Sequence, residues 1–188
     1  TIQNGWYSKQ LDYVLAFPQA PVEKEIYMKI PKGFEIDGAK HNGEHVLKLH
    51  KNVYGQKQAG RVWNKYLVNK LVNKLGFVQS KIDECVFYRG KTMYVLYTDD
   101  SLLAGPDQKE IDQLVEDLKK VGLNITDEGD IQDFLGINIS MRKDKTVHLT
   151  QPHLIDQILK DLGMDNDNVK TKNIPALSSK ILGRAKED

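Results

Sequence analysis

Three short apolar runs follow one another between residues 86 and 104, and only a few polar residues separate them. The runs cover residues 86–88, 93–97 and 102–104. The link between the first two, Arg89-Gly90-Lys91-Thr92, is typical of a hairpin turn. Parallel strands need a crossover of a dozen or more residues, so links this short predict antiparallel pairing. This region therefore predicts an antiparallel sheet.

Three other segments carry apolar residues at helical spacing. They cover residues 59–75, 107–121 and 152–162, and each is followed by a glycine in the C-cap position, at Gly76, Gly122 and Gly163. Asp107 and Glu110 predict a capping box at the start of the second helix. Pro152 suits the first turn of the third helix.

The remaining segments complete an α+β pattern. Further short strands are predicted at 25–30, 45–49, 137–141 and 147–149, with a surface loop at 37–44 and a Lys-Asp-Lys turn at 143–145. The polar tail 165–188 shows little periodicity and is expected to be loosely ordered. The sequence thus predicts an antiparallel sheet with helices packed on one face.

The composition says more about the cellular compartment of the protein than about its function. The 188 residues carry 27 Lys and Arg against 26 Asp and Glu, a net charge of +1 that neither supports nor excludes a nucleic-acid partner. Cys85 is the single cysteine, which rules out an intramolecular disulfide and suits a reducing compartment. The sequence has no apolar run near 20 residues and no signal peptide, so we expect an intracellular protein without membrane partners.

Two adjacent carboxylates, Asp99 and Asp100, stand between the second and third apolar runs. By itself such a pair is more often a solvated turn than a site, because Asp is a common turn residue. A third carboxylate, Asp12, precedes Val14-Leu15-Ala16 and either ends a short strand or caps a helix. If these groups end neighbouring strands, they would converge on hard cations such as Mg²⁺. Two such ions can clamp the attacking and leaving oxygens of a phosphoryl displacement.

Four motifs occur in a recognisable order between about residue 6 and residue 164. Gln10-Leu11-Asp12 precedes an aromatic residue at Phe17, residues 49–63 read LHKNVYGQKQAGRVW, Tyr97-Thr98-Asp99-Asp100 follows, and Phe134-Leu135-Gly136-Ile137 comes last. Together they resemble the first catalytic motif, the nucleotide- and template-binding motif, the catalytic hairpin and the primer grip of reverse transcriptases from copia-type (Pseudoviridae-like) retrotransposons. The resemblance implies an RNA-directed DNA polymerase, a nucleotidyltransferase that uses Mg²⁺, with Mn²⁺ as a possible substitute.

The resemblance also implies roles for particular residues. Asp12 and Asp99 would be the principal metal ligands, with Asp100 in support. Phe17 would pack under the incoming sugar and exclude a 2′-hydroxyl, although simple core packing explains it equally well. The remaining implied contacts are with the nucleotide and template, at Gly55, Gln56 and Lys57, and with the primer, at Phe134, Leu135 and Gly136. A tight loop is the competing explanation for Gln56, and an apolar strand edge for Phe134 and Leu135.

The resemblance further implies a domain layout and a set of partners. Residues 1–164 would form a palm with partial fingers, and 165–188 a connector toward downstream domains. The partners would be an RNA template, a DNA primer, dNTPs, and the integrase and ribonuclease H of a Pol polyprotein, in a cytoplasmic particle or the nucleus. Because Asp12 lies only 11 residues after the start and no initiator Met is present, we expect an excised, processed or decayed copy.

Departures from the family pattern leave a second hypothesis open. Gly60 stands where Pro is expected, and Thr126 where Lys is often found, which puts proton donation to pyrophosphate from that segment in doubt. The alternative is therefore an inactive remnant that serves as a structural or protein-interaction module in a larger assembly.

Two other groups of residues are weaker candidates. The histidines at 41, 45 and 50 have no zinc-type spacing and are expected to be surface residues. The basic residues Arg61, Lys65, Lys70 and Lys74 could follow a phosphate backbone, but a solvated helix face is at least as good an explanation.

Overall fold

A computed structural model describes residues 5–34, 45–142, 146–166 and 169. The loop predicted at 37–44, the Lys-Asp-Lys turn at 143–145 and nearly all of the predicted connector 165–188 lie outside the described residues. The same holds for His41.

The centre of the molecule is an antiparallel sheet of six strands. Its members are β1 (Tyr7–Tyr13), β4 (Val78–Gln79), β5 (Val86–Arg89), β6 (Thr92–Tyr97), β7 (Asp100–Gly105) and β8 (Ile125–Gly129). They lie in the order β4-β5-β6-β7-β1-β8. The predicted meander of β5, β6 and β7 is confirmed, and β1 inserts between β7 and β8.

Buried and more exposed residues alternate along the strands, so one face of this sheet is buried. In β6, Thr92, Tyr94 and Leu96 are buried while the residues between them are more exposed. The side chains of Leu11 and Leu103 join the same core from the neighbouring strands. This period of two is what a sheet with one covered face requires.

Helices cover the buried face. They are α2 (Ala59–Asn69), which continues as a π-helix over Lys70–Lys74, and α3 (Gln108–Lys120). The apolar stripes of both helices belong to the same core cluster as the sheet. The prediction of antiparallel strands backed by helices is thus confirmed. A short helix α1 (Ala16–Gln19), which the sequence analysis did not predict, follows β1.

Two smaller antiparallel sheets stand apart from the six-stranded sheet. One pairs β2 (Pro21–Lys29) with β3 (Val46–Lys51), and the other contains β9 (Asp133–Phe134), β10 (Ile137–Met141) and β11 (Val147–Thr150). The expectation of a single sheet was therefore wrong. These strands expose most of their residues on both faces, so they do not form part of the hydrophobic core.

The last helix, α4 (Pro152–Asp161), begins with the predicted proline at its first turn. None of its residues, all of which the structure describes, is buried, and Leu154, Ile155 and Ile158 are each about half exposed. In the part of the chain that the structure describes, no helix is long and apolar enough to cross a membrane.

Candidate active site

Asp12 lies near the end of β1, directly opposite Asp100 of β7 in the antiparallel register. Cross-strand partners have Cβ atoms about 4.5–5.5 Å apart and project from the same face of a sheet. The alternative that Asp12 caps a helix is therefore wrong, and the N-cap of α1 is Leu15. Two carboxylates that are 88 positions apart in sequence thus share one site on neighbouring strands.

Asp99 stands in the turn that joins β6 to β7. Tyr97 and Asp100 pair across this turn, so Thr98 and Asp99 form its tip. The backbone N–H of Tyr13 donates to the carbonyl oxygen of Asp99 at 3.0 Å, which ties the turn to the strand of Asp12. All three predicted carboxylates therefore lie at the same end of the sheet.

The electrostatics of the turn reflect this crowding. Loss of solvent raises the pKa of the Asp99 carboxyl, and the negative charges of Asp12 and Asp100 raise it further. Burial also raises the pKa of Asp100, with additional contributions from Asp12 and Asp133. Like charges gathered in a partly desolvated place disfavour the ionised forms, so the cluster is destabilised when every member is charged.

The two carboxylate oxygens of Asp99 differ in their hydrogen bonding. Its Oδ2 accepts a hydrogen bond from the hydroxyl of Tyr54 at 3.3 Å. Its Oδ1 is buried and has no hydrogen-bond partner among the described residues. An unpaired buried carboxylate oxygen is costly, and a cation is one of the few partners that would compensate for it.

The donor set therefore fits a hard divalent cation such as Mg²⁺, because carboxylate oxygens are its preferred protein ligands. Within the described residues, however, no three Asp, Glu, His or Cys side chains stand close enough together to enclose an ion. A divalent ion at this end of the sheet would therefore require the three carboxylates to move closer together.

Phe17 and the loop at 53–58 lie beside these carboxylates. The rings of Phe17 and Tyr54 have centroids 4.7 Å apart, so the predicted sugar-contacting residue rests on the residue that holds Asp99. Phe17 is only half-buried and lies at the border of the core, which leaves its edge open. The structure thus brings Phe17 to the site, and the simple core explanation accounts for only part of its surroundings.

The three loop residues expected to contact the nucleotide differ in their surroundings. Gly55 has a φ of +88°, and no described atom outside Gly55 and its two chain neighbours lies within 4 Å of the position that a Cβ would take, so this backbone is open to approach. Lys57 is exposed. Gln56, by contrast, accepts a hydrogen bond from the Val53 N–H through its side-chain oxygen at 3.3 Å. This contact is what the tight-loop explanation expects, and the nucleotide contact of Gln56 stays a prediction.

The segment expected to contact a primer forms a tight hairpin. Phe134 pairs with Ile137, and Leu135 and Gly136 between them both have positive φ, at 55° and 75°. A two-residue loop with two positive φ angles is the turn that best matches the twist of antiparallel strands. Asp133 at the base of this hairpin contributes to the raised pKa of Asp100, so the hairpin approaches the carboxylate end of the sheet.

Two residues near the site were not assigned functional roles from the sequence. Tyr54 belongs to the quoted motif at 49–63. Its position directly before Gly55 was the sequence feature that could have pointed to a role at the site. Trp63 lies in the helical segment 59–75 and ends the quoted motif at 49–63, with no separate role expected for it, yet its indole N–H donates to the carbonyl oxygen of Thr98 at 2.9 Å. No local pattern predicts a hydrogen bond between residues 35 positions apart.

The basic residues of α2 and the surface histidines were the weaker candidates from the sequence. Arg61 and Lys65 both pair with Glu23, and Lys70 donates to the carbonyl of Val121, so most of the basic edge of α2 is engaged within the protein. His45 and His50 are exposed, as expected of surface residues.

An antiparallel sheet backed by helices, with Asp12 and Asp100 on the adjoining strands β1 and β7 and Asp99 in the β6–β7 turn, is the arrangement expected from the resemblance of the sequence motifs to reverse transcriptases. Comparison with known proteins supports that resemblance. The family described as reverse transcriptase (RNA-dependent DNA polymerase) matches residues 1–178, and the chain belongs to that family.

Its relatives are copia-type retrotransposon proteins. The retrovirus-related Pol polyprotein from transposon TNT 1-94 of Nicotiana tabacum is 34% identical over 84% of this chain and 12% of its own length. The Pol polyprotein from transposon RE1 of Arabidopsis thaliana is 36% identical over 84% of this chain and 11% of its own length. A transposon Ty5-1 protein of Saccharomyces cerevisiae is 30% identical over 92% of this chain and 55% of its own length.

The chain thus spans about a tenth of the plant Pol polyproteins and about half of the Ty5-1 protein. No solved structure matches the chain.

Proposed function

We propose that this chain is the catalytic palm, with part of the fingers, of an RNA-directed DNA polymerase that extends a DNA primer with dNTPs. The observation that carries the proposal is the pairing of Asp12 on β1 with Asp100 on β7, beside Asp99 in the β6–β7 turn. In this proposal the six-stranded sheet with α2 and α3 is the palm, and the β2–β3 sheet is the fingers portion. The expected connector at 165–188 leads toward other domains of a Pol polyprotein.

Asp12 and Asp99 are the proposed principal holders of two Mg²⁺ ions, with Asp100 in support and Mn²⁺ as an alternative. When bound, such ions lower the pKa of a primer 3′-hydroxyl and stabilise charge on the transferring phosphate. The protein contributes orientation. The turn places Asp99 with one oxygen held by Tyr54 and the other unpaired, so the unpaired oxygen is the one offered to the cation.

Substrate contacts are proposed for the residues around the carboxylates. The ring of Phe17, supported by Tyr54, would lie under the incoming sugar and exclude a 2′-hydroxyl sterically. The open backbone at Gly55 would approach the nucleotide, and the exposed Lys57 would meet its phosphates. The hairpin at Phe134, Leu135 and Gly136 would position the primer end, because it lies near Asp100.

Primer extension on an RNA template with Mg²⁺ tests the proposal directly. We expect extension by the 188-residue chain, and we expect Asp99→Asn to reduce it by at least about a hundredfold, the scale of removing a key electrostatic contact in catalysis. Asp156→Asn, which changes an exposed carboxylate on α4, is the matched control and should retain activity.

A binding measurement accompanies this assay. Titration with Mn²⁺, followed by electron paramagnetic resonance, should show binding that Asp12→Asn and Asp99→Asn weaken and Asp156→Asn leaves unchanged. If the chain neither extends a primer nor loses Mn²⁺ binding in the two site variants, the polymerase proposal is wrong. That outcome favours the alternative, a non-catalytic interaction module.

A further inference from the structure

The turn that carries Asp99 is held by two donors from outside its own hairpin. The indole N–H of Trp63, on α2, donates to the carbonyl oxygen of Thr98 at 2.9 Å. The backbone N–H of Tyr13, on β1, donates to the next carbonyl oxygen, that of Asp99, at 3.0 Å. Successive peptide groups of the turn are therefore fixed by two different elements of the fold.

The turn has a conformation that needs such support. Thr98 has a φ of +51°, in the left-handed region that a β-branched residue seldom adopts. Residues held in this region persist only where surrounding contacts compensate for the strain. Thr98 is exposed, so packing of its own side chain does not supply that compensation. The hydrogen bond from the Trp63 indole to the Thr98 carbonyl oxygen is the contact that compensates for the backbone strain.

Trp63 is itself rigidly placed. Its side chain is 1% exposed, and its ring packs edge-on against Tyr13 at 5.0 Å between centroids. Tyr13 in turn shares a buried hydroxyl–hydroxyl hydrogen bond with Tyr94 of β6, the strand that leads into the turn. A donor locked by packing on both sides fixes the position of its acceptor, because it has no other rotamer to adopt.

We propose that Trp63 is a positioning residue that holds the Thr98–Asp99 turn in the conformation in which Asp99 meets Asp12 and Asp100. The inference rests on the proposed function, since it concerns the same carboxylates. Trp63 does not touch a metal or substrate in this role. It acts through the backbone of Thr98, and its indole N–H is the atom responsible.

Two variants isolate that N–H. Trp63→Phe removes the donor and keeps an aromatic ring in the core. Replacement of Trp63 by benzothienylalanine, introduced by chemical ligation, keeps the size of the bicyclic ring and removes only the donor. The matched control is Lys70→Met, which deletes a different hydrogen bond between elements, the one to the carbonyl of Val121, without touching the turn. Thermal unfolding first establishes that each variant is folded.

Two readouts, both independent of polymerase activity, test the role in the full chain. We expect both Trp63 variants to raise the Mn²⁺ dissociation constant about tenfold, the scale of one well-placed hydrogen bond. We also expect hydrogen exchange at the Asp99 and Asp100 amides to quicken by a similar factor. Lys70→Met should leave both quantities within about twofold of the unchanged chain, even where it lowers the unfolding temperature.

The outcomes separate this inference from the function on which it rests. If Asp99→Asn weakens Mn²⁺ binding and the benzothienylalanine variant changes neither binding nor exchange, Trp63 has no positioning role while the metal site stands. If Lys70→Met changes binding as much as the Trp63 variants do, the effect is general loss of stability and the inference fails. If neither Asp12→Asn nor Asp99→Asn affects Mn²⁺ binding and the chain extends no primer, the proposed function fails first.

Discussion

The carboxyl groups of Asp99 and Asp100 are partly buried where β6 turns into β7. Their raised pKa values affect the stability of the folded protein. Burial and neighbouring negative charge raise both pKa values above those of an unfolded chain. The folded state therefore binds more protons than the unfolded state between the unfolded and folded pKa values, so stability falls as pH rises through that window. Above it, the two charges remain a constant cost to folding.

We predict that Asp99→Asn raises the unfolding temperature at pH 7 in the absence of divalent ions, because it removes a desolvated charge. The gain should shrink as pH falls through the raised pKa of Asp99 and disappear once this carboxyl is protonated in both the folded and the unfolded chain. Calorimetric scans across this pH range measure the effect, with Asp156→Asn as the exposed control. An equal gain at every pH would contradict the electrostatic explanation.

Gly105 illustrates packing at the scale of one methyl group. A Cβ at this position would lie 2.8 Å from Oγ1 of Thr92 and 3.4 Å from its Cα, and Thr92 is fully buried. We predict that Gly105→Ala lowers the free energy of unfolding by about 1–3 kcal/mol, as overpacking of a core does. Urea denaturation is the measurement.

Gly60→Ala is the contrasting control for that prediction. Its added Cβ would meet nothing closer than the Phe17 ring at 4.0 Å, and Gly60 lies in α2. An alanine in a helix stabilises relative to glycine by roughly 0.5–1 kcal/mol. A loss at Gly60 comparable to that at Gly105 would show that glycine replacement itself, and not contact with Thr92, is responsible.

At the scale of elements, one lysine joins the two helices on the buried face. Nζ of Lys70, where α2 becomes a π-helix, donates to the carbonyl oxygen of Val121 just after the end of α3. It also lies 5.1 Å from the centroid of the Tyr66 ring. A cation at a helix C-terminus satisfies an unpaired carbonyl and interacts favourably with the helix dipole.

We predict that Lys70→Met lowers the free energy of unfolding by about 1 kcal/mol, the typical net value of such a hydrogen bond. Lys74→Met, four residues later on an exposed position of the same π-helix, should change it by less than about 0.5 kcal/mol. Guanidinium denaturation of the two variants compares them. Equal losses would assign the effect to helix propensity instead of to the contact with Val121.

At the scale of the whole molecule, the buried residues among those that the structure describes lie mostly before residue 126. The core cluster contains residues from α2, α3 and the six-stranded sheet, and the last of them is Ile125. The β9–β11 sheet and α4 are attached with little burial of their own. Segments with few buried apolar contacts open locally at lower free energy than the core.

We therefore predict that amides of α4 exchange with solvent on the order of a hundredfold faster than those of α3 under native conditions. Residues Ile111, Leu114 and Leu118 of α3 are fully buried and supply the comparison within one experiment. Hydrogen exchange read by NMR gives both rates at once. Equal protection in the two helices would show that α4 unfolds only with the core.

Much of this architecture could be predicted from the amino-acid sequence, because helical and strand periodicity are local properties. The helices α2, α3 and α4 begin and end close to where apolar spacing, Asp107, Pro152 and the glycines placed them. The turn at Asp99 and Asp100 was predicted in the same way, since it lies between two adjacent strands.

Only the tertiary structure decided the relations between distant segments. Asp12 had two equal local explanations, and its pairing with Asp100 selected one of them. The hydrogen bonds of Tyr54 to Asp99 and of Trp63 to Thr98 likewise join residues 45 and 35 positions apart. The separation of three sheets followed from which strands could be buried, not from their individual patterns. Periodicity shows which face of an element is apolar, but the partner of that face depends on how the whole chain closes its core.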